Sequence, residues 1–143
     1  MTDAPRPRDE IADVLHPDGW AAPAGFAHGI AATGRVIAVA GQVGWDPATN
    51  TFSTDDFAEQ AAQALRNIVA VLRAGGAGPH HLVRLTWYVT NRSEYFSARK
   101  ALGAAYRDII GRQYPAMTVV VVQTLLEPRA KVEIEATAVV PGA

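Results

Sequence analysis

Apolar and polar positions change rhythm along this chain, and each rhythm predicts an element. Phe57, Ala61, Ala64, Leu65, Ile68 and Leu72 recur at helical spacing and form one apolar stripe. Ser53 or Thr54 can cap that helix, and Asp55, Asp56 and Glu59 place negative charge in its first turns, where the helix dipole favours it. Gly75-Gly76 ends it. Near the C-terminus the rhythm shortens: Val132, Ile134, Ala136 and Ala138 alternate with Lys131, Glu133, Glu135 and Thr137, which predicts a strand with one face in a core. Thr118 to Leu125 is a β-branched run that reads as a strand buried on both faces. His81 to Thr90, rich in β-branched and aromatic residues, predicts another strand.

Turn chemistry supplies the rest. Ala27 to Ala32 and Val36 to Gly41 are short apolar segments joined by Thr33-Gly34-Arg35, which reads as a β-hairpin. Gly44 to Asn50 is a loop. Asn91 to Glu94 has capping-box spacing, with Ser93 as an alternative cap, and opens a second helix running to about Gly111. Its expected buried side is Phe96, Leu102, Tyr106, Ile109 and Ile110, and Pro115 breaks the chain after it. The order is β-β-α-β-α-β-β, an α+β domain with both helices on one face of a mixed sheet.

Residues 1–22 read as a flexible polar, Pro-rich arm with an irregular lead-in, and residues 23–143 as a single domain. The arm lacks the apolar core of a secretory signal, and the longest strongly apolar run, Val119 to Val122, is far too short to span a membrane, so a soluble cytoplasmic protein is expected. A formal net charge of -1 with no basic stripe argues against nucleic acid as a partner. With no cysteine, disulfides, thiolate metal sites and cysteine nucleophiles are excluded.

Two strand-helix-strand units with right-handed crossovers leave the opposite sheet face without a helix. The apolar run at 118–125, and Val83, Leu85, Trp87 and Val89 on its neighbour, predict a bare apolar patch, the usual mark of an interface. Other copies of the chain are the expected cover. The alternative is that the N-terminal arm folds back over it.

The element order and several segments resemble the Rid family, also called YjgF-type or reactive intermediate deaminases. The matching pieces are Ala40-Gly41-Gln42, the helix passage Gln60 to Leu65-Arg66-Asn67-Ile68, the strand Val83-Arg84-Leu85-Thr86-Trp87-Tyr88-Val89, Tyr114-Pro115-Ala116, and Val132-Glu133-Ile134-Glu135-Ala136. The resemblance implies a chorismate-mutase-like fold and a homotrimer around a central barrel, with small-molecule clefts at the subunit boundaries. It also implies hydrolysis of enamines and imines to a keto acid and ammonia, with no metal or organic cofactor.

Residue by residue, the resemblance places Glu133 at the family glutamate thought to position the attacking water, and Gly41 at a glycine whose backbone faces the ligand. The active branch reads Pro-Ala-Arg where this chain has Pro115-Ala116-Met117, and neutral Met117 cannot form the bidentate pair with a substrate carboxylate. Phe26 stands where that branch has a tyrosine. Both changes imply a branch lacking the arginine, with a greasier pocket and a ligand that is not a standard small 2-imino acid. A non-catalytic trimer binding a metabolite is the alternative, and ribonuclease activity is a weaker third reading. By alternation alone, Glu133 and Glu135 are simply the solvated side of a strand.

Other candidates carry less. His80-His81 reads as a loop pair beside Pro79, since adjacent strand residues point to opposite faces. His28 reads as a hydrogen-bonded hairpin histidine or a group at the cleft mouth. Arg84 and Arg129 read as solvated arginines, with replacement of the missing cation as the alternative, and Trp45 and Trp87 read as packing residues, with Trp45, in a loop, also a candidate to shape the cleft. Gly75 to Gly78 is a helix stop and not a phosphate loop, because it follows a helix.

Overall fold

A computed structural model describes residues 12–142. The strands are β1 (Ala12–Leu15), β2 (Gly29–Ala32), β3 (Arg35–Val43), β4 (Leu82–Val89), β5 (Ala116–Val121) and β6 (Val132–Val140); the helices are α1 (Phe57–Ala74), α2 (Arg92–Ser97) and α3 (Arg99–Ile109). One sheet runs β3-β6-β4-β5, and β1 and β2 form a separate antiparallel ribbon. In the main sheet only β4 and β5 are parallel neighbours; β6 inserts antiparallel between β3 and β4. The fold is thus α+β with a mixed sheet.

The core forms between the helices and one side of this sheet. The α1 stripe is buried as its spacing predicts, with Leu65, Ile68 and Leu72 at 1%, 0% and 0% exposure. Each such side chain contributes roughly 1.5–3 kcal/mol by leaving water. Across from it, Leu85, Trp87 and Val89 of β4 and Val132, Ile134, Ala136 and Ala138 of β6 complete the cluster. Asp56, rather than Ser53 or Thr54, caps α1: its carboxylate accepts from the Glu59 N–H at 2.9 Å. Thr54 acts one step earlier, accepting from the Asp56 N–H at 3.0 Å.

Several expectations are corrected. β2 and β3 are not a hairpin. Gly34, at φ 152°, lies so close to Val140 that a Cβ would strike its carbonyl, so β3 pairs with β6 while β2 leaves the sheet. Its partner is β1, drawn from the segment read as an arm: Ala12 to Leu15 ladder against Ala32 to Gly29. Residues 1–11 of that arm lie outside the described residues. The second helix is broken at Ala98, which ends α2 and precedes α3. The break leaves Phe96 47% exposed beneath Arg92 and Arg99, while Leu102, Tyr106 and Ile110 stay buried.

The predicted apolar patch also changes. β5 ends at Val121 and is an edge strand, with Val120 and Val121 exposed, so it is not buried on both faces within the chain. Leu85, Trp87 and Val89 face the helices, because the pleat that sends Ile134 and Ala136 into the core sends their β4 partners there too. The open face instead carries a polar centre of Arg84, Thr86, Tyr88, Glu133, Glu135 and Thr137, with Val36 and Val120 toward its two edges.

Candidate functional site

Two amides on α1 hold the strands that matter. Gln60 is fully buried within the apolar stripe and satisfies both ends of its side chain. Its Nε2 donates to the carbonyls of Thr54 and Arg129 at 3.1 Å each, and its Oε1 accepts from the Lys131 N–H at 2.9 Å. The start of β6, two residues before Glu133, is thereby fastened to α1. Asn67, two turns further along the same helix face, donates to the carbonyls of Val43 and Trp45 at 3.2 and 3.1 Å and fastens the end of β3. A buried amide left unpaired costs free energy, so these two residues specify where both strands end.

On the strands so held, Gly41 and Glu133 meet. The β3–β6 ladder shifts register between Val39 and Gln42, and Gly41 lies in that irregularity. A Cβ at Gly41 would collide with Glu133 Oε1 and lie 2.9 Å from its Cδ. The missing side chain is therefore the space the carboxylate occupies. Glu133 is half-buried, and among the described residues its carboxylate has no hydrogen-bond or ion-pair partner. Such a group is free to accept a hydrogen bond from water or a ligand.

Opposite Glu133 on β4 stands Tyr88. Its hydroxyl donates to Glu135 Oε1 at 2.8 Å. That hydrogen bond, reinforced by desolvation and the charges of Glu135 and Glu133, raises the Tyr88 pKa above the ordinary tyrosine value. Beside this pair, Glu135, Arg84, Thr86 and Thr137 line a shallow hollow of about 310 Å³. Tyr88 carries no motif that marks it in the sequence. Its signal was the alternation of Arg84, Thr86 and Tyr88 with Leu85, Trp87 and Val89, which reserves one face of β4 for polar groups.

Met117 and Phe26 lie elsewhere. Met117 pairs with Leu85 and packs against the core on the helix side. Two strand spacings and three residues separate it from Glu133, about 14 Å, and the two side chains point to opposite faces. Phe26 is half-buried beyond the β5 edge, where the Ala27 N–H donates to the Pro115 carbonyl at 3.0 Å. Its ring meets His28 edge-on at 5.1 Å, and Trp20 meets the same histidine edge-on at 4.9 Å. One chain thus unites Gly41 with Glu133 and holds Phe26 and Met117 near β5.

The remaining candidates find structural places. His80 and His81 sit in a short 3-10 turn, where the Gly78 N–H donates to His81 Nδ1 at 3.0 Å. Arg129 pairs with Asp55 at 2.8 Å and lies over the Phe52 ring. Trp45 packs on Phe52, and Trp87 is buried in the core. Among the described residues, no group of three or more His, Asp or Glu side chains is placed to hold a metal. No helix among them is long and apolar enough to cross a membrane.

The RutC family protein y4sK of Sinorhizobium fredii is 34% identical over 103 residues, covering 72% of this chain and 78% of that one. Human 2-iminobutanoate/2-iminopropanoate deaminase is 28% identical over 105 residues, 73% of each chain. Among solved structures, the Rid-family protein YyfB of Yersinia pestis superposes with a TM-score of 0.79 at 32% identity, covering 90% of this chain and 98% of that one. Residues 18–140 match the family described as endoribonuclease L-PSP, and the chain belongs to that family, the Rid or YjgF family.

Proposed function

We propose that the protein is a hydrolytic deaminase of an enamine-like or imine-like metabolite, acting in clefts between the subunits of a homotrimer. The observation that carries this reading is Glu133: a half-buried carboxylate without a hydrogen-bond partner among the described residues, set against a glycine that leaves room for it. Relatives named 2-iminobutanoate/2-iminopropanoate deaminase support the reaction class.

In the proposed step Glu133 accepts a proton from water as the water oxygen bonds to the carbon of the protonated imine and the C=N π pair moves to nitrogen. The carbinolamine then collapses: Glu133 returns its proton to nitrogen, the C–N bond breaks with its electron pair leaving on ammonia, and the hydroxyl proton passes back to Glu133 as the oxygen lone pair forms the carbonyl. The Gly41 backbone holds a polar atom of the ligand, and Phe26 and Met117, brought from a neighbouring subunit, wall the cleft. Met117 offers no guanidinium for a carboxylate, which argues against the small 2-imino acids as substrates. A coupled assay over imines with and without carboxylates tests the proposal. Turnover is expected for some non-carboxylate imines, and Glu133→Gln should lower kcat by roughly 10²-fold or more. Full activity in that variant would remove Glu133 from the chemistry.

A second reading rests on Met117 itself: a non-catalytic trimer that binds an apolar metabolite. Ligand-induced thermal shifts with no turnover across the panel would favour it. Ribonuclease activity, which the family description evokes, gains no support from a net charge of -1.

A further inference from the structure

The open face around Glu133 has a charge balance of its own. Glu133 and Glu135 project from β6, and among the described residues Arg84 of β4 is a cation that lines the same hollow as Glu135. Lys131 and Arg129 are committed to Glu94 and Asp55 at 3.3 and 2.8 Å. Tyr88 is the ladder partner of Glu133, and its hydroxyl is held on Glu135. A hydroxyl donating one hydrogen bond still has acceptor lone pairs to offer. Two carboxylates outweigh the single charge of Arg84, and with a phenol oxygen turned to accept they make a net negative surface that receives N–H donors in preference to a carboxylate.

We propose that Tyr88, oriented by Glu135, is a specificity-determining residue that selects ligands presenting a protonated imine or amine nitrogen and no neighbouring carboxylate. The inference rests on the deaminase reading of the Glu133 site and names its substrate class. Met117 removes the attraction for a carboxylate; Tyr88, Glu135 and Glu133 together supply the attraction for a nitrogen cation.

The test compares the full-length protein with Tyr88→Phe and Glu135→Gln. Calorimetric titrations with primary alkylammonium ions and with carboxylates of matched chain length measure selectivity without requiring turnover. The wild type should prefer the ammonium series, and both variants should lose roughly tenfold of that preference, the size of one hydrogen bond to a charged group. Equal affinity for the two series in the wild type, or unchanged selectivity in both variants, overturns the inference. Imine hydrolysis, assayed separately, judges the deaminase reading. Turnover without ammonium preference leaves that reading standing and sinks this one. Ammonium preference without turnover supports the selectivity and removes the chemistry. Wild-type melting curves in both variants separate lost recognition from lost fold.

Discussion

Gly41 and Gly44 look alike in the sequence and do different work. At Gly41 the clash that a methyl would create is with the Glu133 carboxylate, the far end of a flexible side chain. At Gly44 it is with Gln60 itself, where a Cβ would lie 2.5 Å from the Cα and the carbonyl oxygen. Gly41→Ala should therefore leave stability within about 1 kcal/mol while turning Glu133 away, with turnover falling at least about tenfold. Gly44→Ala should cost about 1–3 kcal/mol or more in urea unfolding, because a buried helix backbone has nowhere to go. Tyr106 gives a pH prediction. Burial, and secondarily the stacked Tyr114 ring at 5.3 Å, pushes its hydroxyl well above the ordinary value of 10.0. The folded chain keeps a proton that the unfolded chain releases, so this contribution is complete below about pH 10 and is lost as the pH rises further. Tyrosinate absorbance should show one tyrosine that ionises only with unfolding, and Tyr106→Phe should remove that component.

Helix α1 is the element on which the site depends. Its stripe was legible because a period near 3.6 survives any tertiary arrangement. What the periodicity could not show is that Gln60 and Asn67, polar residues within that stripe, fasten β6 and β3. Asp56→Ala should cost about 1 kcal/mol by removing the cap, and Ile68→Ala about 2–5 kcal/mol by opening the core. Thermal unfolding checks the order. If Asp56→Ala proved the costlier, capping rather than packing would govern this helix. The break at Ala98 was not legible, since Arg92 to Ile109 carries no glycine before Gly103 and no proline. Packing decided it: Tyr95 turns toward Phe57, edge-on at 6.4 Å, while Phe96 is left outside.

At the scale of the molecule, the open face shows how a sound pattern argument reaches the wrong surface. Val83, Leu85, Trp87 and Val89 alternate as expected, yet the register of β4 on β6 turns Leu85, Trp87 and Val89 toward the helices and leaves the opposite face polar at its centre. In the proposed trimer, self-association would use the exposed Val36 and Val120 at the two edges of this face and leave its polar centre to the cleft. Sedimentation at micromolar concentration should give three times the 15.2 kDa chain mass, and Val120→Glu should weaken the assembly. A stable 15.2 kDa species in the unmodified protein would rule out a cleft shared between subunits.

By itself the sequence determined the order of most elements, the buried stripe of α1, the alternating strand that carries Glu133, and the family to which those segments belong, because periodicity and turn chemistry are local properties of a chain. Tertiary structure alone decided the partners: that β2 joins β1 instead of β3, that β6 slips between β3 and β4, that Gly41 makes room for Glu133, and that Tyr88 faces Glu135. Those are meetings between residues up to about a hundred positions apart. Which strand lies beside which is settled by the summed packing of every layer, and no local run of residues encodes that sum.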